Sequence, residues 1–251
     1  MNVRVIIPAA GKGTRLHTTE NDAPKVMRLC AGRPLLETVL EATDFIAPED
    51  TYIVVGYKKD DVTGHFGPAF HYVEQKEQLG TGHAVMVCAD AFKDYDGVVL
   101  VTFGDMPLFK ASDMKAMCEM VEREQADCVL MTAENPDLKM WARIVKDDNG
   151  QFFAIVEGKD CTTEQEKITE LFAGVLAFNS RSLFETLPKV RTNNVQGEYY
   201  LTEVPELMVR DGLKVMTYHI EDGDCLRGVN TPEDLVICEK ILKTRLESKD
   251  I

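Results

Sequence analysis

No stretch of the sequence approaches the roughly 18 consecutive apolar residues of a membrane span. The opening runs from a short apolar segment at Val3 to Pro8 straight into glycine-rich sequence, without the long hydrophobic region of a secretory signal. Basic runs are missing as well. The chain has 28 Lys and Arg against 42 Asp and Glu, a formal charge of −14, and nothing Arg-rich that could track a phosphate backbone. Charge therefore argues against nucleic acid and against anionic membrane surfaces as partners. The seven cysteines form no CxxC pair and no Cys/His zinc spacing, so they read as reduced thiols of a cytoplasmic protein. Neither GxGxxG nor GxxxxGK[ST] occurs, which excludes the dinucleotide fingerprint and the ATPase phosphate loop. Repeats, linkers and low-complexity segments are also absent, and 251 residues then read as one domain with one cleft.

Short β-branched runs alternate with helical patterns. Residues 3–8, 51–56, 97–103 and 126–132 read as strands. Helices are predicted at 35–42, at 82–91 with Thr81 as N-cap, and at 112–125 with Ser112 as N-cap. Strands near 172–178 and 214–220 bracket helices around 180–187 and 201–210. A hairpin is expected about the Asp-Asp-Asn-Gly turn at 147–150, and a closing helix after Pro232. This order indicates an α/β domain with a largely parallel sheet, whose ligands bind beyond the carboxyl ends of the strands. Residues 1–135 read mainly as a nucleotide-binding half, 136–230 mainly as a sugar-binding half, and 231–251 as the terminal helix.

The first strand runs directly into Ala9-Ala10-Gly11-Lys12-Gly13-Thr14-Arg15. Glycines let the backbone turn its N–H groups onto an anion, and Lys12 and Arg15 can neutralise a triphosphate. Alone, such a loop is equally compatible with a plain tight turn. Gln75 and the run Gln78-Leu79-Gly80-Thr81-Gly82-His83 follow. A Gln amide carries both a donor and an acceptor, which suits the imide edge of uracil, whereas a capped helix start is the structural alternative. Asp105, in Gly104-Asp105-Met106-Pro107-Leu108, ends a buried strand where a hard cation could be held. Asn230 in Gly228-Val229-Asn230-Thr231-Pro232 reads, by itself, as a turn before proline.

Taken together, residues 9–15, Pro24-Lys25-Val26, Gly32-Arg33-Pro34-Leu35 and the later motifs resemble the sugar-nucleotide pyrophosphorylase family. Within it the chain is similar to the uridylyltransferase domains of the bifunctional bacterial N-acetylglucosamine-1-phosphate enzymes. The resemblance implies a Rossmann-like, glycosyltransferase-A-like nucleotidyltransferase fold with a mostly parallel mixed sheet flanked by helices. It implies nucleotide contacts from Ala10, Gly11, Gly13, Thr14, Arg15, Lys25, Gln75, Gly80, Thr81 and Asp105. Arg15, Lys25 and Asp105 would be catalytic, and Asp105 with Asn230 would hold Mg2+. Sugar contacts would come from Ala142, Glu157, Phe172, Tyr200 and Thr202. His83 is expected to be structural.

The implied reaction is Mg2+-dependent transfer of uridylyl from UTP to N-acetylglucosamine 1-phosphate, giving UDP-sugar and pyrophosphate. Three departures qualify the pattern: Leu16 to Ala23 is longer than the family form, Met140-Trp141-Ala142 replaces Gly-Tyr-Gly, and Phe172 replaces an Asn that reaches the sugar. Another or modified sugar 1-phosphate is the nearest alternative acceptor. A cytidylyltransferase for a non-sugar phosphate and a non-enzymatic nucleotide-sugar sensor stand further off. No hexapeptide repeats follow the terminal helix, so no acetyltransferase activity is expected.

Overall fold

The computed structural model describes residues 1–16 and 23–248. The lengthened segment after Arg15 thus lies largely outside the described residues. The strands are β1 (Val3–Pro8), β2 (Leu29–Cys30), β3 (Arg33–Pro34), β4 (Thr51–Val55), β5 (His71–Glu74), β6 (Val98–Val101), β7 (Cys128–Glu134), β8 (Arg143–Lys146), β9 (Phe152–Val156), β10 (Glu170–Asn179) and β11 (Val215–His219). The helices are α1 (Leu35–Ala42), α2 (Lys59–Phe66), α3 (Thr81–Met86), α4 (Ala89–Phe92), α5 (Ala111–Glu124), α6 (Ser180–Thr186), α7 (Glu203–Arg210) and α8 (Pro232–Ser248).

One sheet runs β11-β7-β10-β6-β1-β4-β5, and the β8–β9 hairpin pairs onto β10. β1 is parallel to β4 and to β6, while β10 runs antiparallel between β6 and β7. β4 and β6 are buried along their whole lengths, which explains their unbroken apolar sequences: helices cover both faces. Because side chains alternate across a strand, Val5 and Ile7 enter one core layer with α1 and α5, and Ile6 enters the other with α3 and α7. A third, smaller cluster of Leu16, Cys30, Leu35, Leu108, Val229, Cys238 and Leu242 docks α8 against the loops at the carboxyl end of the sheet.

Several local expectations need correction. The helix expected over 82–91 is two helices, α3 and α4, broken at Val87-Cys88. Gly80, not Thr81, is the residue flanking α3, and its φ of 111° is one that a side chain would resist. The Thr81 hydroxyl instead accepts a hydrogen bond from Leu201 N at 3.0 Å. Ser112 lies inside α5, whose flanking residue is Lys110 and which has no side-chain cap. Helix α2 and strand β5 went unread because their polar, half-exposed sequences carry little periodicity.

Candidate active site

The loops leaving β1, β4 and β6 are tied together at the carboxyl edge of the sheet. Ala9 N donates to Val54 O at 2.8 Å, Tyr57 N to Ala10 O at 3.2 Å, and Gly104 N to Pro8 O at 3.1 Å. Two cavities open there, and Phe103 lines both. The first, of about 230 Å3, is bordered by Ala10, Gly11, Lys25, Gln75, Gly80, Thr81 and Asp105. The second, of about 270 Å3, is bordered by Arg15, Ala142, Glu157, Phe172 and Asn230 together with Met106 and Trp141.

Lys25 stands between the two. Its ammonium is in direct contact with an Asp105 carboxylate oxygen and donates to Asn230 Oδ1 at 2.8 Å. Gly13 makes room for the Lys25 stem: with φ 69°, it would place a Cβ 2.8 Å from that of Lys25. Asp105 and Asn230, 125 residues apart, are joined through the backbone, Val229 N donating to Asp105 O at 2.9 Å. Asn230 is held in turn by Asp234, whose Oδ2 accepts from Asn230 N at 3.0 Å and Thr231 N at 2.8 Å. The Thr231 hydroxyl accepts from Asp234 N at 3.2 Å, completing a reciprocal cap on α8. Asp234 escaped the sequence reading, although the Thr231-x-x-Asp234 spacing before a helix was its signal.

Two oxygen donors, from Asp105 and Asn230, thus converge on one positive charge. A hard cation such as Mg2+ suits this donor set, since it takes few protein oxygens and completes its shell from water and substrate phosphate. Among the described residues no group of three or more His, Cys, Asp or Glu converges as a metal cluster.

The other loop residues spread out. Arg15 is exposed; it donates to Asn230 Oδ1 at 3.1 Å and borders the second cavity, not the first. Thr14 is exposed in a short 3-10 turn and borders neither cavity. Lys12 lies over the Tyr57 ring, 5.3 Å from its centroid.

Gln75 is 4% exposed. Its amide nitrogen donates to Gly80 O at 3.2 Å and faces His83 Nδ1 at 3.0 Å, which leaves the amide oxygen as its remaining acceptor. His83 is accordingly a support for Gln75. The turn at 79–82 is locked to residues 198–201: Tyr199 N donates to Leu79 O at 2.8 Å and Gly82 N to Tyr199 O at 2.7 Å. A Cβ on Gly80 would lie 2.6 Å from Tyr199 O, so the approach requires glycine. Glu198 thereby reaches the first cavity, a contact the sequence did not suggest.

Glu157, which borders the second cavity, accepts at Oε1 from the Thr202 hydroxyl at 3.0 Å. Burial raises the Glu157 carboxyl above its ordinary range, against the lowering effect of the Thr202 bond, and Asp160 and Glu198 add to the rise. Tyr200 is half-buried, its phenol pushed up to about 12 by burial. Neither Tyr200 nor Thr202 borders the cavity itself. Ala142 keeps an ordinary negative φ, so the replacement of glycine there is unstrained.

Residues 5–202 match the family of MobA-like NTP transferase domains. The chain is 37% identical over 245 residues to the "Bifunctional protein GlmU" of Enterococcus faecalis, covering 98% of this chain and 53% of that protein. The protein of the same name from Staphylococcus carnosus is 36% identical over 241 residues, with 96% and 52% covered. The chain thus spans about half the length of these curated relatives. Among solved structures, a UDP-glucose pyrophosphorylase complexed with UDP-glucose superposes with a TM-score of 0.79 at 19% identity, covering 98% of this chain and 100% of that one. The apo form of a UDP-glucose pyrophosphorylase gives 0.80 at 17% identity, with 98% and 99% covered, so the fold is shared at low sequence identity.

Proposed function

The chain belongs to the family of MobA-like NTP transferase domains and is a nucleotidyltransferase; on that premise we propose that it transfers uridylyl from UTP to a sugar 1-phosphate and releases pyrophosphate. The observation that carries this reading is the convergence of Lys25, Asp105 and Asn230 where the two cavities meet. One cavity takes the nucleotide and the other the acceptor, which brings a phosphate oxygen of the sugar 1-phosphate in line with the α-phosphorus.

Gln75 supports UTP over CTP. Its free amide oxygen accepts from the N3–H of uracil, whereas cytosine presents an acceptor at N3 and would meet it oxygen to nitrogen lone pair. Lys25 offsets negative charge on the phosphoryl oxygens as the bond to pyrophosphate breaks, and Arg15 steadies the acceptor phosphate from beside Asn230. Asp105 and Asn230 would hold Mg2+, which when bound neutralises phosphate oxygens of both substrates. No general base is required, because the attacking phosphate is already ionised near neutral pH.

N-acetylglucosamine 1-phosphate is the leading acceptor, on the family resemblance that residues 193–203 carry. The seven cysteines, all unpaired, are in keeping with a cytoplasmic location. No helix among the described residues is long and apolar enough to cross a membrane.

Pyrophosphate release from UTP and from CTP, each with N-acetylglucosamine 1-phosphate and Mg2+, tests the reading. UTP turnover exceeding CTP turnover by about a hundredfold is expected; equal turnover, or none with either nucleotide, would refute it.

A further inference from the structure

Arg143 opens β8 with its side chain buried, the residue being 5% exposed, and backbone alone meets it there. Nη1 donates to Leu138 O at 3.3 Å and to Trp141 O at 3.1 Å, and Nη2 donates to Lys139 O at 2.6 Å. No carboxylate among the described residues receives its hydrogens, and Nε has no partner. A guanidinium buried against carbonyl dipoles, without an opposite charge, carries a desolvation penalty that an apolar side chain in the same place would not. What the guanidinium supplies is the conformation of residues 138–141. Their own backbone hydrogen bonds are few: Leu138 N donates to Asn135 O at 3.2 Å and Trp141 N to Leu138 O at 3.4 Å.

The direction of one peptide follows from these bonds. Side chains alternate across β8, so Arg143 projects from the face opposite Ala142 and Ile144, which share one core layer. In a planar trans peptide C=O and N–H point in opposite directions. With Trp141 O turned onto the guanidinium, the N–H of the same peptide, that of Ala142, points away from it. This N–H donates to nothing among the described residues, and Ala142 borders the second cavity. Gly158, beside Glu157, closes the loop from the other side: a Cβ there would overlap Met140 O.

Resting on the uridylyltransferase reading above, we infer that Arg143 is a positioning residue for acceptor binding: it turns the Trp141–Ala142 peptide so that the Ala142 N–H donates to a hydroxyl or acyl oxygen of the sugar 1-phosphate in the second cavity. Arg143 itself touches neither substrate, since it borders neither cavity. It lines a separate space behind the loop, with Asn135 and Leu171. Loss of its hydrogen bonds lets the peptide rotate, and an acceptor oxygen left without its donor weakens binding by about tenfold or more. The first cavity shares no residue with the loop, so UTP binding is unchanged.

The test compares the native chain with R143M, which keeps the stem and removes the donors, and with R143K, which keeps the charge but offers its donors from a single atom. With UTP, Mg2+ and N-acetylglucosamine 1-phosphate, R143M should raise KM for the acceptor by about tenfold or more while kcat and KM for UTP stay within about twofold. R143K should fall between R143M and the native chain. Equal rises in both KM values, a fall in kcat alone, or no change overturns the inference and leaves the uridylyltransferase reading standing. Because Arg143 is buried and R143M can fail to fold, a second measurement uses the native chain. UDP-N-acetylglucosamine at about ten times its Kd should slow hydrogen exchange at the Ala142 N–H by about tenfold, and UDP, which lacks the sugar, should leave that rate unchanged. Equal exchange with both ligands overturns the inference. Absence of pyrophosphate release by the native chain overturns the reading itself, and the inference with it.

Discussion

At the scale of single residues, the site depends on a few side chains whose neighbours fix their roles. Replacing Asp105 by Ala should lower turnover by about a thousandfold while thermal stability is kept, because its carboxylate faces Lys25 and Asn230 at a cavity edge and not the core. Steady-state assays beside thermal melts check this, and near-normal turnover at saturating Mg2+ would remove Asp105 from the chemistry. Glu157 carries a pH signature. Its carboxyl is raised above the ordinary 4.5, so the folded protein holds its proton where the unfolded chain has released it. Its contribution to stability is therefore lost as pH rises from 4.5 through the raised folded value. Glu157→Gln should melt higher than the wild type at pH 7.5 but not at pH 4, with weaker binding of the acceptor; melting curves at the two pH values decide it. The Gly-rich loop, Gln75 and Asp105 could be marked as candidates from sequence by residue type and setting, and Phe172 only by its departure from the family that the chain resembles. What could not be read there was direction: Arg15 turns to the second cavity, and both amide hydrogens of Gln75 are used internally.

At the scale of elements, the turn before α3 and the cap of α8 do the positioning. Gly80→Ala would force a side chain into φ 111° and against the Tyr199 carbonyl, costing about 1–3 kcal/mol. It should raise KM for UTP more than it lowers kcat, since the same turn supports Gln75. An unchanged KM would show that the turn is only structural. Thr231→Ala removes one arm of the α8 cap and should destabilise the protein by about 1 kcal/mol in denaturant titrations. Buried strands and long amphipathic helices were legible because periodicity and apolar runs are local properties. The start of α3 was not, because tertiary contacts decide it: Tyr199 and Leu201 bind the turn where a Thr81 cap would act.

At the scale of the molecule, β10 brings the second part of the chain into the sheet between β6 and β7, so the loops of the second cavity face those of the first across Phe103. An antiparallel strand inserted in a parallel sheet leaves no mark in periodicity, and the 125-residue closure from Asp105 to Asn230 leaves none in spacing. Resemblance to a known family supplied that pairing at the sequence level, and the Val229–Asp105 hydrogen bond supplies its physical cause. The central claim, that the junction of the two cavities moves a uridylyl group, is most directly tested by the fate of labelled phosphorus. With UTP, Mg2+ and N-acetylglucosamine 1-phosphate, label at the α-phosphorus should pass into the sugar nucleotide and label at the γ-phosphorus into pyrophosphate. Label at the α-phosphorus that stays in UTP, or leaves as free UMP, would contradict the account.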